Sequence, residues 1–298
     1  ELFRSTVERF TGSIDVEARR RLREHPGGYD RSRWTELAEL GLIALAASEE
    51  AGGLGGSDVD LALVGEALGK ANSPDPWLEN GVLPALILSA AGETQMLEEV
   101  VSGEAIYSLA WAERGQRYNL KAKGTRVVGG KVRGEKTFVL NASIADHFIV
   151  SAEENGATDF YVLSAPAEGI DVRPYRMADG SIAGELRLSQ AEAKKIVLEA
   201  EALSEVVARI RLLAGAELVG LGQRLLDDTL VYVKEREQFG VPIGSFQALQ
   251  HRLVDCYARI EQARSMLYRA ALKEKADGRA WQRQAAGAKA YITENVDH

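Results

Sequence analysis

Residues 235–255 read EREQFGVPIGSFQALQHRLVD and set an arginine, two glutamines and a phenylalanine around one Gly/Pro turn: Arg236, Gln238, Phe239 and Gln247. A guanidinium, two carboxamides and an aromatic ring are binding groups, and a large apolar ring on a corner needs something else to cover it. Other candidates for chemistry fall away. The glycine cluster EEAGGLGGSDVD, residues 49–60, lacks both the G-x-G-x-x-G spacing and a Walker lysine, and reads as a flexible turn before a capped helix. Cys256, the single cysteine, lies among apolar helix positions and reads as a buried small hydrophobe, not a nucleophile. Four scattered histidines form no triad and, with one cysteine, no metal cluster. His251 reads as a surface or packing residue.

The elements that must hold the corner follow from periodicity. From Glu1 to about Gly103 the pattern is helical: Asp30 or Ser32 caps a helix carrying Trp34, Leu37 and Leu40. Ser57 or Asp58 caps another, carrying Val59, Leu61, Leu63, Val64 and Leu68. From about Glu104 to Leu198 the period falls to two. LKAKGTRVVGGKVRGEKTFVL, residues 120–140, predicts two strands joined at Gly129-Gly130, and DHFIVSA and TDFYVLSA predict two more. Helical spacing returns near Glu199, with Val206, Ile210, Leu213, Leu221, Leu225 and Val233 on one helix. Leu249, Leu253, Ile260, Met266 and Leu267 line the next. Gly65 and Gly220 sit inside helical patterns, where close helix packing explains them.

A chain of 298 residues predicts two or three packed substructures, and 46% hydrophobic with 27% charged residues is ordinary for a globular protein. The net charge of −8 argues against a nucleic-acid or anionic-membrane partner. No apolar run reaches the length of a membrane span, and no signal-peptide pattern opens the chain. One cysteine fits a reducing cytoplasm. The chain reads as cut at both ends, beginning inside a helix at Glu1-Leu2-Phe3 and stopping at Asp297-His298 without a terminating signal.

Along almost its whole length the sequence resembles the acyl-CoA dehydrogenase family. The resemblance rests on EEAGGLGGSDVDLALVGEALG at 49–69, GGKVRGEKTFVLNASIADHFIVSA at 129–152, the 235–255 corner, and the α-β-α order. It implies an α+β multidomain chain: an N-terminal helical domain over 1–103, a middle β-barrel-like domain over 104–198 and a C-terminal helical bundle over 199–298. It also implies bound FAD, an acyl-CoA substrate, an electron-transfer flavoprotein as electron acceptor, and a dimer, tetramer or heteromer with a homologous subunit. In the family the corner reaches a neighbouring chain's FAD. Arg236 then meets the pyrophosphate, Phe239 packs beside the cofactor, and Gln238 and Gln247 supply amide hydrogen bonds.

The middle segment departs from the family pattern. Where the family reads threonine-glutamate-proline and then glycine-serine-aspartate, this chain reads AERGQRYN: Glu113 is kept, Ala112 replaces the threonine, Arg114 the proline and Tyr118 the serine. In the second flavin-facing segment, KTFVLN, Phe138 keeps the aromatic and Leu140 replaces a hydroxyl. The resemblance also implies a carboxylate base that removes the substrate α-proton. Most members carry it beyond the region matched here. A minority carry it where this chain has Arg209-Ile210-Arg211, so no catalytic residue is assigned within residues 1–298. Arg211 matches a family arginine read as structural, and Glu205 and Glu217 are a turn or two out of place. Two functions follow: an active flavin-dependent dehydrogenase, or a flavin-poor partner subunit that completes the FAD site of a catalytic homologue.

Overall fold

The computed structural model describes residues 2–12, 16–22, 24–273 and 278–296. Glu1, Asp297 and His298, three of the residues in the reading of open chain ends, lie outside them. Helices α1 (Leu2–Thr11), α2 (Val16–Leu22), α3 (Arg31–Glu39), α4 (Asp58–Lys70), α5 (Leu83–Ala90) and α6 (Thr94–Val101) come first. Eight strands follow: β1 (Tyr107–Ala110), β2 (Arg126–Val128), β3 (Lys131–Leu140), β4 (His147–Glu154), β5 (Ala157–Ser164), β6 (Ile170–Arg176), β7 (Ile182–Ala191) and β8 (Lys194–Ile196). The chain then forms α7 (Ala200–Glu235), the short strands β9 (Glu237–Gln238) and β10 (Val241–Pro242), α8 (Gln247–Ala271) and α9 (Gly278–Val296). The fold is α+β in the expected order. Among the described residues no helix is long and apolar enough to cross a membrane.

Local chemistry accounts for the element ends. The Asp30 carboxylate accepts from the Ser32 amide at 2.9 Å and caps α3, while Ser57 and Asp60 form a reciprocal capping box on α4. Gly129-Gly130 (φ 61° and 77°) and Asn155-Gly156 (φ 53° and 83°) make the left-handed two-residue turns that suit twisted hairpins. The glycine cluster is a packed turn. The amides of Gly53, Gly55 and Gly56 donate to the carbonyls of Ser48, Ala47 and Leu45. Those donors are spent on the chain itself, so none is left to cradle a phosphate.

Contacts divide the chain into two compact units: Glu1–Ile14, Ser57–Ser73 and Val207–His298 form one, and Asp15–Gly56 and Pro74–Val206 the other. They do not follow three consecutive segments, because α1 and α4 group with the C-terminal helices. In the first unit, a Cβ on Gly220 would stand 1.9 Å from the Glu66 carbonyl oxygen, and one on Gly69 would stand 2.0 Å from that of Glu217. Helices α4 and α7 therefore touch backbone to backbone. The buried Glu66 carboxylate accepts from Arg264 Nε and the Tyr268 hydroxyl, each at 2.8 Å, which fastens α4 to α8.

In the second unit one sheet runs β6-β7-β3-β2-β4-β5-β8, with β1 beside β4 in parallel. The sheet keeps two edges, β6 and β8, so it is not a closed barrel. Val132, Val139, Phe148, Val150, Leu163, Leu186 and Leu188 fill its core. A π-helical turn, Trp77–Val82, precedes α5, and its fully buried Asn80 donates to the Tyr107 carbonyl and the Ser108 hydroxyl of β1. The first predicted strand of 120–140 shortens to β2, because the amides of Lys123, Gly124 and Thr125 are taken by the Glu113 carboxylate and leave the ladder.

Gly220→Ala forces a methyl group into the backbone of α4. We expect it to cost at least about 2 kcal/mol in chemical denaturation, at the upper end of overpacking penalties. A loss below about 0.5 kcal/mol would contradict the close α4–α7 crossing.

Candidate cofactor site

The corner is a two-residue hairpin set between long helices. Helix α7 ends at Glu235, Val241 pairs with Gln238 and Pro242 with Glu237, and the Ile243 amide donates to the Arg236 carbonyl at 2.8 Å. The turn residues Phe239 and Gly240 have φ of 57° and 80°. The Phe239 side chain is 93% exposed and meets Phe246 edge-on, ring centres 6.2 Å apart. It fills no core of its own chain. Arg236 is exposed, and its guanidinium has no hydrogen bond or ion pair among the described residues. Gln238 donates to the neighbouring Glu237 carbonyl at 2.9 Å, and Gln247 is exposed at the first turn of α8. Val231 and Tyr232 on α7, with Val254 and Tyr257 on α8, extend the exposed apolar surface.

The same half of the hairpin corrects two expectations. Leu225 is exposed, with Leu226 taking the inward position, and Cys256 is only half-buried. His251 is on the surface, as expected.

The second set of expected residues lies at a bulge in β3. Lys136 pairs with Leu186 and Val139 with Gly184, so β3 carries one extra residue between them. Phe138 sits in that slip with φ 55° and is 52% exposed. The Thr137 amide donates to the Ala112 carbonyl at 2.8 Å, which joins the bulge to the chain leaving β1. Ala112 and Leu140 are half-buried beside it. Asn141, also left-handed at φ 53°, donates its side-chain amide to Asn80 Oδ1 at 2.8 Å. Among the described residues, Phe138 and Phe239 are the two aromatic residues with positive φ.

Sequence reasoning missed the group that sets this bulge. The fully buried Lys136 ammonium donates to Glu113 Oε1 at 2.8 Å, to Ser151 Oγ at 2.9 Å and to the Trp111 carbonyl at 3.3 Å. Glu113 also accepts from Gln116 Nε2 at 2.6 Å and from the amides of Lys123, Gly124 and Thr125 at 2.7–3.1 Å. Burial alone would raise the Glu113 carboxyl pKa, but Lys136 and the Gly124 and Lys123 amides outweigh it and hold it at about 2. The available signal was strand phase: Lys136 falls on the inward alternation of Val132.

At the alternative base position Arg209 pairs with Asp58 at 2.8 Å. Arg211 lines an open depression with Lys289, Thr293 and Glu294.

Residues 1–104 match the acyl-CoA dehydrogenase N-terminal domain and residues 201–297 the acyl-CoA dehydrogenase C-terminal domain. The acyl-CoA dehydrogenase IpdE2 of Mycolicibacterium smegmatis is 34% identical over 271 residues, covering 90% of this chain and 75% of that protein. The ChsE4-ChsE5 complex of Mycobacterium tuberculosis contains a chain of TM-score 0.84 at 27% identity, over 99% of this chain and 83% of that one. PigA, solved with FAD and proline, has TM-score 0.85 at 26% identity over 99% and 83%. The chain belongs to the acyl-CoA dehydrogenase family.

Two outcomes test this geometry. Phe239→Asn gives the Asn-Gly pair that two-residue hairpins favour, and should stabilise the isolated chain by about 1 kcal/mol in denaturant unfolding; a clear loss of stability would show that Phe239 is held by its own chain. The Glu113 carboxyl, ordinarily near 4.5, is lowered to about 2. Its contribution is therefore present above the unfolded value and lost as pH falls through the folded one. The stability gap between wild type and Glu113→Gln should shrink as pH falls from about 4.5 to about 2, and a gap independent of pH would contradict the paired carboxylate.

Proposed function

We propose that this chain is a subunit of an FAD-dependent acyl-CoA dehydrogenase that oxidises the α,β bond of an acyl-CoA thioester. The observation that carries the reading is the corner, where a strained phenylalanine and an unpaired arginine stand exposed on their own chain. FAD, when bound, supplies the hydride acceptor. Arg236 holds the pyrophosphate of a neighbouring chain's FAD, Phe239 packs beside it, and Gln238 and Gln247 supply amides. In this chain's own edge, Phe138 and the backbone around its bulge face the flavin ring. An electron-transfer flavoprotein is the proposed acceptor.

Ala112 and Leu140 favour a narrower second reading: a flavin-poor partner that completes the FAD site of a homologous catalytic subunit. Neither side chain can donate a hydrogen bond to the flavin edge. Positions 209–211 supply no carboxylate to take the substrate α-proton. The similar ChsE4-ChsE5 structure is a complex of two components, which supports such pairing.

Each missing hydroxyl is worth about 1–1.5 kcal/mol net, which together lower FAD affinity by roughly 30- to 150-fold. The chain expressed alone should carry FAD well below one per chain by visible absorbance, and Ala112→Thr with Leu140→Thr should raise the occupancy. A full, non-dissociating flavin complement in the unmodified chain would remove the support for the partner-subunit reading. Arg236→Ala should weaken flavin retention in the oligomer more than it lowers the unfolding midpoint. A stable monomer in sedimentation at micromolar concentration would count against the shared site.

A further inference from the structure

Strand β3 ends in an arch. Residues 138–141 open and close on left-handed backbone, Phe138 at φ 55° and Asn141 at φ 53°, while Val139 is buried between them and pairs with Gly184. Asparagine tolerates that conformation, and its short side chain can bond elsewhere. The near end of the arch is pinned by the Thr137 amide on the Ala112 carbonyl at 2.8 Å, the far end by the Asn141 amide on the Ile182 carbonyl at 2.7 Å. Asn141 adds a second tie, its side-chain amide donating to Asn80 Oδ1 at 2.8 Å.

The acceptor of that tie is itself fixed. Asn80 is fully buried, and its Nδ2 donates to the Tyr107 carbonyl at 2.9 Å and to Ser108 Oγ at 2.7 Å. A carbonyl can only accept, so the Asn80 nitrogen must face β1, its oxygen faces Asn141, and Asn141 must be the donor. The turn carrying Asn80 is anchored at its start. Asp75 accepts from Arg33 Nε and Nη2 at 2.9 and 2.7 Å and from the Tyr29 hydroxyl at 2.7 Å, and Trp77 Nε1 donates to the Leu42 carbonyl at 2.8 Å. That turn, Trp77–Val82, is π-helical, a rare form that recurs at functional sites. A fully satisfied buried polar network rigidifies what it holds. What this one holds is the arch that presents Phe138.

We infer that Asn80 and Asn141 are positioning residues for the cofactor edge: their amide pair locks the 138–141 arch to β1 through the π-helical turn, and so sets where the Phe138 ring and the arch backbone meet the flavin. The inference rests on the cofactor reading above. It gives Asn80 a role 61 residues away from the residue it positions through. Binding groups need supports of this kind, because a site held only by its own strand is too loose by a fraction of an ångström.

Two readouts on the purified protein, with any co-purifying subunit retained, test it. The first is fluorine NMR of para-fluorophenylalanine placed at position 138. Asn141→Gly keeps the left-handed backbone free of strain and removes only the amide tie, while Asn141→Asp keeps the size and replaces the donor with an acceptor. Both should shift or broaden the fluorine line, and Asn80→Leu should do the same where it folds. The second is titration with FAD, read by flavin absorbance. Each variant should weaken FAD roughly 10-fold and displace the absorbance maximum of the bound flavin. A fluorine line identical in wild type and both Asn141 variants overturns the inference. So does a shifted line with flavin affinity and spectrum unchanged, since the arch would then not be the cofactor edge. The two readings fail separately. If the wild-type assembly takes up no FAD while the variants still move the fluorine line, the cofactor reading falls and the lock on the arch stands.

Discussion

A bulky side chain on left-handed backbone costs about 1–2 kcal/mol, and this chain places two phenylalanines there, Phe138 and Phe239, with neither ring buried. Such strain persists only where the surroundings over-determine it. At Phe138 the surroundings are the register slip of β3 and the Glu113–Lys136 pair next to it. At Phe239 they are the two-residue hairpin between α7 and α8. A core gains nothing from either ring, so the strain makes sense as presentation to something outside the chain's own packing.

Glu113 links several features that look separate in sequence. It neutralises a lysine that would otherwise be buried alone, and removing one partner of such a pair typically costs about 3–5 kcal/mol. It also withdraws three consecutive amides from the sheet and so delays the start of β2 to Arg126. The loop thereby released from the ladder is the one that carries Arg117 and Tyr118. One carboxylate thus supports both the bulge of Phe138 and that loop.

Much of the fold was legible in the sequence, since hydrophobic period and turn chemistry act locally. The α-β-α order, the Gly129-Gly130 hairpin, the caps of α3 and α4 and the close approach at Gly220 all follow from a few adjacent residues. What was not legible depends on distant partners. Lys136 and Glu113 are 23 residues apart, and nothing local says that the lysine is satisfied. The grouping of α4 with α7 and α8 rests on Gly69 and Gly220 meeting the facing backbone and on Glu66 meeting Arg264 across 198 residues. Leu225 and Cys256 were expected inside because helical spacing marks an apolar face without saying how far along the helix a neighbour covers it. The candidate corner and its uncovered ring were readable from residue types and spacing, while the left-handed backbone of its turn emerged only in three dimensions.

The central claim is that the Phe239 corner is covered by another chain. A photo-crosslinking amino acid placed at position 239 of the assembled protein reads that contact directly. A covered corner predicts, on irradiation, a crosslink to a second polypeptide, either another copy or a co-purifying homologue, at protein concentrations where the oligomer forms. Crosslinks confined to the same chain, unchanged on dilution to the monomer, would contradict it.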